Sequence, residues 1–226
     1  MRLEIARHVV ERKREALGTQ VIAGACYGSV AHHAAMEYSD VEVVVITVDG
    51  VEPLVEQFFD TGIMVDCYTV PGSKWLAAAQ EATEDWGIQA DMYEHQLVLW
   101  DPEEFFPRLR ATAAAIPQES FDRALKTNWW RAYEARNKVL NAQLVGDHPR
   151  MIYGGLDFAF VIAMHIALYE RKPYESERTL WQDVTTRGYG MKELVDALSA
   201  GALSRVRQAI DNVWEQTRLW GATPEG

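Results

Sequence analysis

The sequence predicts a mixed α/β half followed by an all-helical half, with the change near Ile116-Pro117. Three observations carry this. Short β-branched and apolar runs, such as Val41-Glu42-Val43-Val44-Val45-Ile46-Thr47, alternate with helical spacing over the first hundred residues. From Pro102 onward every apolar pattern has the helical period. Apolar residues make up 48% of the 226, enough for a sizeable core.

Arg2 to Leu17 places Leu3, Ile5, Ala6, Val9, Val10 and Leu17 on one face of a helix that Gly18 ends. Gln20 to Tyr27 reads as a buried strand, Ser29 to Met36 as a short helix and Asp40 to Val48 as a second strand. A helix over Val51 to Phe59 is expected next, then a strand over Ile63 to Val70 and a turn at Pro71-Gly72. A helix from Ser73 through Trp75 to Glu84 and a strand over Gln96 to Trp100 complete the first half. Helices follow over Pro102 to Ala115, Glu119 to Val145, Tyr153 to Tyr169, Glu177 to Thr185 and Ala202 to Trp220. Pro117, Gly146, Pro149, Pro173 and Gly188 separate them.

Composition excludes some functions. The formal net charge of −11 leaves no basic stripe for a phosphate backbone, so no nucleic-acid partner is expected. An acidic surface attracts cationic partners instead. The apolar stretch Leu156 to Tyr169 is too short to span a bilayer and is interrupted by His165. No signal peptide is evident at Met1-Arg2-Leu3-Glu4, and a cytoplasmic protein without membrane contact is expected. Cys26 and Cys67 have no partner at metal-ligand spacing and read as reduced core thiols. His33, His95, His148 and His165 form no ligand spacing.

Asp40 and Glu42 are two apart in a strand, so they share one face while Val41 and Val43 take the other. Adjacent carboxylates repel, which an edge strand facing water tolerates. A divalent cation also resolves it, and hard oxygen ligands suit Mg²⁺ bound with substrate phosphates. Upstream, Gly28-Ser29 lies between a strand and a helix, where free amide groups and a hydroxyl make a phosphate cradle. Together these describe a site for a nucleoside triphosphate and its metal.

The order Tyr27-Gly28-Ser29, short helix, Tyr38-Ser39-Asp40-Val41-Glu42 resembles the nucleotidyltransferase superfamily signature, in its kanamycin nucleotidyltransferase branch. Trp86 and Leu97-Val98-Leu99-Trp100-Asp101 are similar to the end of that family's α/β domain. Gly201-Ala202-Leu203-Ser204 through Trp214 and Trp220 is similar to its final helix. The resemblance implies an α/β (α+β) nucleotidyltransferase-like domain with a mixed sheet at 1–115 and an all-α helical-bundle domain at 116–226. It also implies Mg²⁺-dependent transfer of AMP from ATP to a hydroxyl of an aminoglycoside, with antibiotic resistance as the role. A lincosamide or other hydroxylated metabolite is the nearest alternative acceptor, and a regulatory or antitoxin-type interaction protein the alternative class. Asp40 and Glu42 then hold the metal, with Gly28, Ser29 and His32 at the nucleotide. His32 stands where the superfamily commonly has a basic residue for the triphosphate, a departure because histidine is not reliably charged at neutral pH.

Glu134 and Lys138 lie at i and i+4 on one helix face, which an ordinary salt bridge explains fully. The resemblance implies more, since Tyr133-Glu134-x-x-x-Lys138 matches the family's general base and phosphate-contacting lysine. Asp66, on a following strand where superfamily members often place a third carboxylate, is the second candidate base; from its position alone it reads equally as an exposed strand acid. Trp129, Trp130, Trp181, Trp214 and Trp220 read as packing residues. Glu81, Glu84, Asp85, Asp91 and Glu94 read as a solvated acidic surface, or as the lining of a cleft for a polyamine-like substrate. Kanamycin-type enzymes are homodimers whose sites draw on both subunits, so a homodimer is expected.

Overall fold

The computed structural model describes residues 1–221. The chain divides into two compact units. The first comprises Met1–Glu81 and Gln89–Pro117, the second Ala82–Ile88 and Gln118–Gly226; the last five residues of the expected helical domain lie outside the described residues.

In the first unit, α1 (Arg2–Leu17) leads into β1 (Val21–Tyr27), α2 (Gly28–Ala31) and β2 (Val41–Thr47). The strands β3 (Leu54–Asp60) and β4 (Ile63–Pro71) follow, then α3 (Gly72–Ala79). After α4 (Trp86–Gln89), all but the last residue of which belongs to the second unit, the short α5 (Asp91–Glu94), β5 (Leu97–Trp100) and α6 (Phe105–Ala113) close it. The sheet is mixed, in the order β3-β4-β2-β1-β5, with β2 parallel to β4 and the other pairs antiparallel.

Both faces of β2 are covered, which is why its sequence is almost continuously apolar. On one side Ile5, Ala6, Val9 and Val10 of α1 pack on Val41, Val43, Val45, Val65, Cys26 and Cys67. A Cβ on Gly24 would come within 2.6 Å of Val10, so glycine lets α1 approach β1 closely. On the other side Val44 and Ile46 pack with Trp75 of α3 and Phe105, Phe106 and Leu109 of α6. The Asp101 carboxylate accepts from the amides of Phe105 (2.7 Å) and Phe106 (2.9 Å), capping α6.

Two expected helices are corrected. Val51 to Phe59 is not helical: Leu54–Asp60 is an edge strand. Asp60 pairs with Ile63 across Thr61 (φ 49°) and Gly62 (φ 82°), and two positive φ values give the type I′ turn whose twist matches a hairpin. The helix expected over Ser29 to Met36 stops at Ala31, because His33 takes a left-handed φ of 54° and the Ala34 amide turns back onto the Ser29 carbonyl. A loop then runs to β2, held by Arg2, whose guanidinium donates to the carbonyls of Ser39 and Glu37.

The second unit is helical: α7 (Gln118–Leu144), α8 (His148–Glu170), α9 (Leu180–Thr186), α10 (Met191–Ser199) and α11 (Leu203–Thr217). Its core gathers Val139, Phe158, Ile162, Met164, Leu194, Ile210 and Val213. Ala82–Ile88 joins it through α7. Ser120 Oγ accepts from the Ala82 amide at 2.9 Å, Asn128 donates to the Glu84 carbonyl at 3.2 Å, and Trp86 packs edge-on to Phe121.

The apolar stretch within α8 belongs to a longer helix than expected. Pro149 sits in its first turn, where a missing N–H is harmless, and the Asp147 carboxylate caps it by accepting from the Arg150 amide. At 23 residues it has the length and apolarity to cross a membrane, but 67% of its most apolar stretch is buried in the protein as the core helix of the unit. Trp129 and Trp214 pack within the unit as expected, 5.6 Å apart. Trp130 packs edge-on to Trp129, 4.8 Å away, but is 59% exposed.

Candidate active site

Glu42 is not on an edge strand. It lies in the central strand β2, paired with Tyr27 of β1 on one side and Asp66 of β4 on the other. Asp66 in turn pairs with Gln57 of β3. Directly paired residues present side chains to the same face, so Tyr27, Glu42, Asp66 and Gln57 form a row across four strands. Asp40, two residues before Glu42, opens onto that face just ahead of β2. A carboxylate pair in mid-sheet requires a reason that an exposed edge would not.

The electrostatics sharpen the point. Asp66 Oδ1 is buried and without a hydrogen-bond partner among the described residues. A buried carboxylate oxygen beside a second carboxylate is unfavourable unless a cation compensates it. Burial pushes the Tyr27 phenol far above its ordinary range, and Glu42, Tyr68 and Asp66 push it further. Tyr27 therefore stays neutral, and its neighbours are acids. Carboxylate oxygens are the hard donor type that Mg²⁺ takes, and the orphaned Asp66 oxygen stands level with Glu42.

Gly28 opens α2 directly after β1 with φ of 63°, a conformation that only glycine adopts without strain. A Cβ there would overlap Glu42 Oε2. The turn carrying Gly28-Ser29 thus lies against the Glu42 carboxylate, and the amide groups that start α2 face no preceding helical turn.

His32 ends α2, its amide donating to the Gly28 carbonyl at 3.1 Å. Its side chain engages Asp91, with Nε2 2.8 Å from Oδ1. His95 Nδ1 meets the same oxygen at 2.9 Å. Two expectations are corrected here. Asp91 is 8% exposed, not part of a solvated surface, and His95 does join a cluster. The i, i+4 spacing of Asp91 and His95 on α5 was the available signal, but only the fold brings His32 to it. Burial also pushes the Glu94 carboxyl up, with His95 opposing and Asp91 reinforcing the shift.

Glu134 and Lys138 lie on α7 in the helical unit. Lys138 Nζ is 3.1 Å from Glu134 Oε1, and both side chains are mostly exposed. Lys138 also lines a groove of about 710 Å³ between α7 and α8, with Asn141, Asp147, Arg150, Tyr153 and Asp157.

The KNTase C-terminal domain family model matches residues 103–225, more than half of the chain. The chain belongs to the KNTase C-terminal domain family. That match spans α6 to α11 of this KNTase-family chain. A nucleotidyltransferase-like protein from Exiguobacterium sibiricum has a similar structure, with a TM-score of 0.57 at 14% identity, over 97% of this chain and 77% of that one. That likeness extends the nucleotidyltransferase-like fold across both units. No curated protein matches.

Proposed function

We propose that this KNTase-family chain transfers AMP from ATP to a hydroxyl of a cationic, aminoglycoside-type small molecule, releasing pyrophosphate. The observation that carries the reading is the orphaned Asp66 oxygen in register with Glu42 at mid-sheet, beside the Gly28-Ser29 turn. Asp40, Glu42 and Asp66 would hold Mg²⁺, which when bound neutralises charge on the phosphates. Ser29 and the first amide groups of α2 bind phosphate oxygens. The acceptor oxygen forms its bond to the α-phosphorus as the bond to pyrophosphate breaks, and the hydroxyl proton passes to a carboxylate.

Glu134 is proposed as that carboxylate, with Lys138 at the phosphates; both roles rest on the family resemblance. Asp66 is the second reading for the base, in which case Asp40 and Glu42 alone would hold the metal. The −11 charge supports a cationic acceptor, and a homodimer is proposed as the assembly.

The test is pyrophosphate release from ATP and Mg²⁺ across a panel of aminoglycosides. Release with at least one acceptor supports the proposal. Silence with every acceptor, together with tight capture of a protein partner, would replace it with a regulatory role. Glu134→Gln should abolish transfer while nucleotide binding persists; an unchanged rate moves the base to Asp66.

A further inference from the structure

The cluster of His32, Asp91 and His95 reaches beyond the proposed transfer, in which only His32 has an expected place, at the nucleotide. It gathers three metal-ligating side chains from two separate elements, the end of α2 and the turn of helix α5. His32 Nε2, Asp91 Oδ1 and His95 Nδ1 lie within 4.8 Å of one another, and the two imidazole rings are 5.3 Å apart. The site is graded in burial: the Asp91 side chain is 9% exposed, His32 16% and His95 55%. That gradient gives a fixed inner carboxylate and an outer ligand free to adjust.

We propose that His32, Asp91 and His95 form a binding site for a Zn²⁺-class transition-metal ion, distinct from the carboxylates of the sheet. Two imidazoles and one carboxylate match the nitrogen-rich donor sets that zinc prefers and magnesium does not. Around a tetrahedral ion with bonds of about 2.0–2.2 Å, ligand atoms stand roughly 3.3 Å apart. The two histidine–aspartate distances, 2.8 and 2.9 Å, therefore open slightly, and His95 swings inward on its exposed side. The ion replaces the imidazole protons now shared with Asp91, and its fourth position is left to water.

Bound there, it would clasp α2 to α5 and, once the Asp91 carboxylate is counted, leave a fixed net positive charge three residues after Ser29. This last consequence rests on the nucleotide reading; the metal site itself does not.

The experiment titrates Zn²⁺ into the chelator-stripped full chain against a chromogenic competitor, without nucleotide and in millimolar Mg²⁺ to occupy the sheet carboxylates. The expected result is one Zn²⁺ per chain at micromolar affinity or tighter, weakened about tenfold or more in both His32→Asn and His95→Ala. His95 is exposed enough for its alanine variant to keep the fold, which circular dichroism checks. No binding tighter than about 0.1 mM would overturn the proposal, as would binding that survives either substitution. Because no ATP is present, that failure leaves nucleotidyl transfer standing, and absence of transfer leaves the metal site standing.

Discussion

Gly28 and Glu42 are fitted to one another: any side chain at Gly28 would overlap Glu42 Oε2, and its backbone is held at φ 63°. Gly28→Ala therefore meets two separate penalties. Left-handed backbone costs a non-glycine residue about 1–2 kcal/mol, and the Glu42 carboxylate must turn away. We expect a lowered denaturant midpoint and loss of nucleotidyl transfer, with a larger effect on transfer than on stability. Wild-type activity in Gly28→Ala would show that the Glu42 position is not demanding.

Asp66 and Glu42 share a register position, and Asp66 Oδ1 has no hydrogen-bond partner among the described residues. In metal-free buffer Asp66→Asn removes one of two neighbouring charges and should stabilise the fold by roughly 1 kcal/mol. Adding millimolar Mg²⁺ should raise the melting temperature of the wild type and leave the variant nearly unmoved. Destabilisation of Asp66→Asn without metal would mean that the carboxylate has a structural partner.

His165 is buried in α8, 1% exposed and stacked near Trp220. Burial pushes its pKa down to about 4, with the backbone of Thr217 opposing in part. Between pH 6.5 and 4 the unfolded chain therefore binds a proton that the folded chain refuses. Stability falls as pH drops through that window, by about 3 kcal/mol in total from this group. Urea midpoints at pH 7 and 4.5 should diverge less in His165→Phe than in the wild type.

Cys26 and Cys67 flank Val43 on neighbouring strands, and burial pushes both thiols up to about 11. Two strand spacings, roughly 10 Å, separate them, too far for a disulfide. Both should resist a thiol reagent at pH 7, reacting at least ~100-fold more slowly than in urea. Rapid labelling of either in the native state would contradict the packing of α1 on the sheet.

Much of the fold was legible because periodicity is local. The amphipathic face of α1, the strands Val21–Tyr27 and Ile63–Pro71 and the long α7 follow from which apolar residues recur at which spacing. Leu54–Asp60 is a strand where periodicity predicts a helix, since a short apolar run fits either period; the Thr61-Gly62 turn that decides it is a subtle signal beside the familiar Asn-Gly. The helix Met191–Ser199 has no marked start in the sequence, and Pro149 opens a helix although proline more often ends one.

At the candidate site, spacing along the chain suffices to put Asp40 and Glu42 on one face and Gly28-Ser29 at the start of a helix after a strand, because both depend only on near neighbours. That β2 is central, that Asp66 stands level with Glu42, and that His32 turns to Asp91 and His95 follow from the folded packing. Strand order, register and a contact across 59 residues are set by how faces bury against one another. No local spacing encodes that choice.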